Sequence, residues 1–203
     1  AAKSRKLSQI DWLGGLRDLR KLMDSGKSRR LIAIFCLNQV GAGAFFAAVP
    51  LVLESSGGFS PREIAAFLSA EGIFSGAVFA FFGPMLLKRT SLKNALVIGL
   101  SASVATIAVP LVSDNYFALW SITILQAAGF GITYFTTLAI FSENAPDGKR
   151  GWVLSVLSSL WGLTMGGGLA LCGVLAGISN ATCVSACLIL CAAALFISRK
   201  TSV

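Results

Sequence analysis

The chain has 203 residues, of which 55% are hydrophobic and only 13% are charged, against about 25% charged in ordinary soluble domains, so a single water-soluble domain lacks the polar surface it would need. Histidine is absent, which removes His-based acid/base catalysis, Ser-His-Asp or Cys-His nucleophile activation and imidazole zinc sites. Lys and Arg total 17 and Asp and Glu 9, a net charge of +8 whose placement decides whether it addresses nucleic acid or a membrane.

Residues 1–30 read as a basic, amphipathic cytoplasmic linker. Trp12, Leu16, Leu19 and Met23 recur at helical spacing, with Leu13 and Leu22 flanking and Arg17, Asp18, Lys21 and Asp24 opposite, the pattern of a helix lying on the membrane interface. The alternative is a solvated linker that orders against a partner. No apolar stretch of signal-peptide length occurs there. Gly26-Lys27-Ser28 resembles the end of a phosphate-binding loop, but Lys21 stands where the first glycine is required, and nucleotide binding is rejected.

Six apolar runs follow, at 31–53, 64–87, 95–112, 117–141, 152–178 and 181–197. Each is long enough to cross the hydrocarbon core as a helix, which takes about 17 to 25 residues. Together they hold 134 residues and a single charged side chain, Glu71, while the remaining 69 residues hold the other 25 charges. Barrel strands would instead alternate in polarity over about 10 residues. The expected fold is therefore all-α: a polytopic bundle of six transmembrane helices over 31–197, preceded by the amphipathic helix and followed by a cytoplasmic tail, 198–203.

Ser60-Pro61-Arg62-Glu63 is a capping box opening the second span, and Asn94 and Asn180 are expected caps for the third and sixth. The short connections predict that consecutive helices are antiparallel neighbours. Sixteen Lys and Arg fall in the segments before the first span, after the second, after the fourth and after the sixth, whereas the other three connections hold only Arg62. The positive-inside rule then places both termini in the cytoplasm and accounts for the basic charge without nucleic acid.

Glu71 lies seven residues inside the second run, roughly 10 Å deep at 1.5 Å per residue, where an ionised carboxylate is costly. It must be protonated, hydrogen-bonded, line water or pair with a group from outside the chain. A proton- or ion-coupling role is one reading, and a neutral carboxyl bonded to Ser75 is the other. Asn38 and Gln39 in the first span, Gln126, Thr133 and Tyr134 in the fourth, and Trp161 and Thr164 in the fifth are substrate-cavity candidates, with interhelical hydrogen bonding as the competing role. Cys183, Cys187 and Cys191 share a face of the last span; packing is preferred to soft-metal binding because no other ligand type accompanies them. The sequon at Asn180 sits in a connection too short and too close to the membrane for glycosylation.

Gly72 with Gly76, Gly162 with Gly166, and Gly173 with Gly177 have the small-xxx-small spacing of close helix contacts. Gly41 and Gly43, together with Pro50, weaken the first span where Gly129 and Gly131 weaken the fourth. That correspondence points to a repeat of three helices followed by three, related by inversion.

The stretch from Ser142 to Gly151, including Glu143, Pro146 and Arg150, followed by a glycine-rich span, resembles the cytoplasmic loop and following helix of the major facilitator superfamily. Gly83-Pro84-Met85-Leu86-Leu87-Lys88-Arg89 resembles the loop between the second and third helices of a half, with Leu87 where aspartate is expected and Thr90 where the second glycine would sit, as in the degenerate copy found in second halves. The resemblance implies the carboxy-terminal six-helix half of a secondary active transporter that moves a small solute by alternating access. It implies cavity-lining first and fourth spans, peripheral third and sixth spans, and a cytoplasmic gate involving Gly83, Lys88, Arg89, Glu143, Pro146, Arg150 and Gly151. Partners would be the lipid bilayer, the solute and a second six-helix half, in the same polypeptide or a separate one. No cofactor, metal, nucleic acid or enzymatic activity is expected, and a plasma or inner membrane is the expected location. Ala1 in place of an initiator methionine fits a fragment or processed piece. A transport-incompetent scaffold or receptor with the same bundle is the alternative.

Overall fold

The computed structural model describes residues 25–55, 57–145 and 148–200. These form six helices long and apolar enough to span a membrane, with no strand among the described residues. The first span is α1 (Gly26–Ser55). The second is a continuous rod of α2 (Pro61–Ala77), a π-helical turn (Val78–Phe82) and α3 (Gly83–Arg89). The third to sixth are α4 (Leu92–Val112), α5 (Tyr116–Glu143), α6 (Arg150–Ala176) and α7 (Asn180–Arg199). The amphipathic pattern in residues 1–24, Pro146 and the last three residues lie outside the described residues.

Local chemistry explains the helix starts. Ser25 Oγ accepts from the Ser28 amide at 3.0 Å, so the segment that mimics a phosphate loop is the first turn of α1. At α2 the capping box forms: the Glu63 amide donates to Ser60 Oγ at 3.4 Å and the Ser60 amide to Glu63 Oε2 at 2.8 Å. Ser60→Ala is expected to weaken this first turn by about 1 kcal/mol, read as roughly fivefold faster amide hydrogen exchange at residues 62–64 with the α5 amides unchanged. Two expected caps shift, one by three residues and one by a single residue. Ser91, not Asn94, caps α4, accepting from the Asn94 amide at 3.3 Å. Ser179, not Asn180, caps α7, accepting from the Thr182 amide at 3.1 Å. Serine wins in both places because it sits at the last extended residue, where its short side chain reaches the third amide of the helix.

The interruption of the helical ladder is also displaced. Despite Pro50 and four glycines, α1 and α5 are continuous, and the irregular turn lies in the second span. Its cause is Pro84, which has no N–H to donate and whose ring crowds the preceding carbonyls. The Gly83 amide reaches back five residues to the Val78 carbonyl, closing the π turn.

Two contacts tie one end of the bundle together. Asn180 Nδ2 donates to Ser55 Oγ at 3.0 Å, and the Tyr116 hydroxyl donates to Glu63 Oε1 at 3.1 Å. At the other end Leu31, Leu96, Phe141, Val153 and Ala194 share one apolar cluster, so successive helices alternate in direction. Lys27, Arg29, Arg30, Lys88, Arg89, Lys93, Lys149, Arg150, Arg199 and Lys200 belong to this second end, whereas Arg62 shares the first with Glu54, Glu63 and Asp114.

Sequence neighbours are mostly not packing neighbours, contrary to the expectation from short connections. The strongest pairings are α4 with α5, α1 with α6, α1 with α7, α4 with α7 and α2 with α5. Exchanging the first three spans for the last three maps this set onto itself: first–fifth becomes fourth–second, first–sixth becomes fourth–third, and third–sixth is unchanged. The glycines obey the same rule. A Cβ on Gly41 would meet Cys191 of the sixth span, and one on Gly129 would meet Ser103 of the third. A Cβ on Gly43 would meet Met165 of the fifth span, and one on Gly131 would meet Val78 of the second. The Gly-x-Gly pairs are therefore equivalent packing points of two three-helix repeats, not weak points.

The spaced pairs Gly72/Gly76 and Gly162/Gly166, and also Gly173, meet nothing within 4 Å. Their helices are the least covered. Ile73 on α2 and Leu163 on α6 are 72% and 74% exposed, because no other helix among the described residues lies over that side of the bundle.

Candidate functional site

α1, α2, α5 and α6 line a half-open cavity of about 440 Å³, within the range of about 300 to 1,000 Å³ usual for small-molecule sites. The Gly-x-Gly pairs position two of its walls. Ala42 and Phe130, each between two glycines, face the cavity, as do Phe46 and Tyr134, each three residues beyond the second glycine. The glycines bring the backbones of neighbouring helices close, and these residues are left pointing inward between them. Glu71, Ser75 and Phe79 line the second span at successive turns, and Trp161 and Met165 line α6.

Aromatic rings dominate the wall. Tyr134 is their hub, with the Trp161 ring centroid at 5.8 Å, Phe79 edge-on at 6.0 Å and Phe35 behind it at 6.1 Å. The polar groups are few. Ser75 Oγ donates to Glu71 Oε1 at 3.1 Å, so the carboxyl both lines the cavity and holds the intrahelical bond that was the competing reading. Gln39 and Gln126 are 2% and 3% exposed. Gln39 Nε2 and Gln126 Oε1 are buried with no hydrogen-bond partner in the protein, an unusual condition for amides, and both residues line the cavity.

Of the sequence candidates, Gln39, Glu71, Gln126, Tyr134 and Trp161 come together on this wall, and three do not reach it. Asn38 is fully buried with neither side-chain polar atom bonded. Thr133 is packed against α4, where a Cβ on Gly99 would stand 2.6 Å from its Oγ1. Thr164 Oγ1 donates to the Leu160 carbonyl at 2.8 Å, which satisfies it within its own helix. Phe46, Phe79, Phe130 and Met165 are wall residues that a search for polar side chains passes over. The signal for two of them was the glycine spacing.

The motif residues sit at the basic end. Gly83 closes the π turn, where a Cβ would be 3.1 Å from the Val78 carbonyl oxygen. Lys88 and Arg89 end α3, Glu143 ends α5, and Arg150 and Gly151 begin α6, all exposed. The cysteine stripe faces the core, with Cys183, Cys187 and Cys191 buried against α1, and among the described residues no group of three or more His, Cys, Asp or Glu could hold a metal.

The sequence pattern of the Major Facilitator Superfamily matches residues 31–202. The chain belongs to this superfamily. It is an integral membrane protein, and other members of the superfamily are transporters rather than enzymes. It is also similar to Hippocampus abundant transcript-like protein 1 of Bos taurus, with 28% identity over 123 residues, covering 61% of this chain and 24% of that protein. The chain spans about a quarter of that relative over the matched region.

Proposed function

We propose that the chain is the carboxy-terminal half of a secondary active transporter that moves a small solute by alternating access. The observation that carries this reading is the cavity, whose aromatic wall converges on one carboxylate and two unpartnered amides. In this reading Gln39, Gln126, Tyr134 and Trp161 contact the solute, and Glu71 takes up and releases a coupling proton. Asn38, Thr133 and Thr164 then support the wall from behind. A second six-helix half, in the same polypeptide or a partner, covers α2 and α6, where the open glycines Gly72, Gly76, Gly162 and Gly166 admit close helix approach. The basic end faces the cytoplasm of a plasma or inner membrane by the positive-inside rule. There Gly83, Lys88, Arg89, Glu143, Pro146, Arg150 and Gly151 belong to the gate that opens and closes the inner side.

The test is uptake into sealed vesicles carrying the full-length protein, across a panel of neutral, cationic and anionic solutes, with and without a pH gradient. Saturable, gradient-dependent accumulation of at least one solute is the expected result. An inserted, folded protein that moves nothing in the panel overturns the reading.

A further inference from the structure

Resting on the reading of the cavity as a solute site, we infer that it takes a monovalent organic cation with an apolar body. The wall contains one carboxylate, Glu71, and neither Lys nor Arg. On this half-open apolar wall a single carboxylate with no basic side chain beside it favours a cationic guest, because an anion would meet an uncompensated like charge and only a cation pairs with ionised Glu71. A metal ion is poorly matched, since one carboxylate with amide oxygens gives too little charge and no cluster of ligating side chains stands there. A sugar is poorly matched as well, because its many hydroxyls need more donors and acceptors than this wall provides.

The aromatic residues fit a cation directly. Phe79, Tyr134 and Trp161 form one connected group, with ring centroids 6.0 and 5.8 Å from Tyr134, and Ser75 and Glu71 stand one and two turns before Phe79 on the same span. Ring faces attract an organic cation through their quadrupoles while burying its apolar substituents, and the carboxylate completes the cage. Gln39 and Gln126 on the same wall supply amide groups for a polar substituent on the guest. Charge and aromatic surface thus select the same chemical class.

The probe pair is radiolabelled tetraphenylphosphonium and tetraphenylborate, alike in shape and opposite in charge, measured by equilibrium dialysis on the full-length protein in nanodiscs against empty nanodiscs. Saturable binding of the cation only is expected. Glu71→Gln should weaken it about tenfold or more, Glu71→Asp should retain most of it, and Trp161→Leu should weaken it about tenfold where Trp161→Phe does not. Should Glu71→Gln fail to fold, the Trp161 pair decides. Equal or tighter protein-dependent binding of the anion, or cation affinity indifferent to both Glu71→Gln and Trp161→Leu, overturns the inference. Transport of a neutral solute by protein that binds no cation also overturns it and leaves the transporter reading standing. Cation binding without transport of any solute leaves this site chemistry standing and removes the transporter reading.

Discussion

Glu71→Gln is expected to abolish solute accumulation driven by a pH gradient while leaving a folded bundle. Glutamine keeps the shape of the side chain and an oxygen that can accept the Ser75 hydroxyl, now at 3.1 Å from Glu71 Oε1, so the turn around it has no reason to rearrange. Removing an ionisable group from an apolar span also removes a desolvation cost, and the variant should unfold at the same temperature as the parent or higher. What the amide cannot do is exchange a proton. One pH unit across the membrane is about 1.4 kcal/mol per proton, which sustains about tenfold solute accumulation for each proton coupled. The parent should approach that ratio, and the glutamine variant should stop at equal concentrations on both sides while still equilibrating solute downhill. Accumulation by the variant equal to the parent would take Glu71 out of the coupling mechanism.

The features legible in the sequence are those set by the bilayer. The length of the six runs and the near absence of charge within them follow from the cost of polar groups in hydrocarbon, and each run became a spanning helix. The Ser60 capping box was equally legible, because every group in it is local. Helix neighbours were not. Connection length governs direction, but packing is governed by which faces carry small residues. Gly43 and Gly168 bring the first span to the fifth across more than a hundred positions, and no local pattern announces that pairing. The polar search for the cavity found Gln39, Glu71, Gln126, Tyr134 and Trp161 because buried polar groups are rare in such helices. It also gathered Thr164, whose hydroxyl is satisfied on a carbonyl one turn back, a use that from sequence looks like a ligand contact, and Asn38 and Thr133, which are buried off the cavity wall without a side-chain hydrogen-bond partner. The π turn was hidden for a different reason: Gly83-Pro84 falls inside the second apolar run and also resembles the start of a loop motif, and neither reading announces a local change of helix type.

The other large effect is expected where α1 crosses α6. A Cβ on Gly168 would overlap the Val40 carbonyl oxygen and come within 2.7 Å of the Ala44 amide nitrogen, and a Cβ on Gly43 would overlap the Met165 carbonyl oxygen. Every atom in the way is backbone, so relief requires the helices to separate. Overpacking usually costs about 1 to 3 kcal/mol, and Gly168→Ala and Gly43→Ala belong at or above the top of that range, with the wall carrying Trp161 and Met165 drawn away from Gln39. The three-helix repeat sharpens the test, because Gly131 is the counterpart of Gly43 and yet its added Cβ would meet a side-chain methyl, Val78 Cγ1, at 3.0 Å. Gly131→Ala should therefore cost less than about 1.5 kcal/mol, the methyl yielding by a small rotation. Gly173 lies on the same helix as Gly168 with nothing within 4 Å, and Gly173→Ala should be neutral or stabilising within this bundle, since alanine gains up to about 1 kcal/mol over glycine in a helix. Thermal unfolding of the four variants in detergent should rank Gly168→Ala and Gly43→Ala far below Gly131→Ala, with Gly173→Ala at or above the parent. Equal losses at Gly43 and Gly131 would mean that the close approach of α1 and α6 does not set the stability of the bundle, and that the cavity wall is held by the side-chain contacts around it instead.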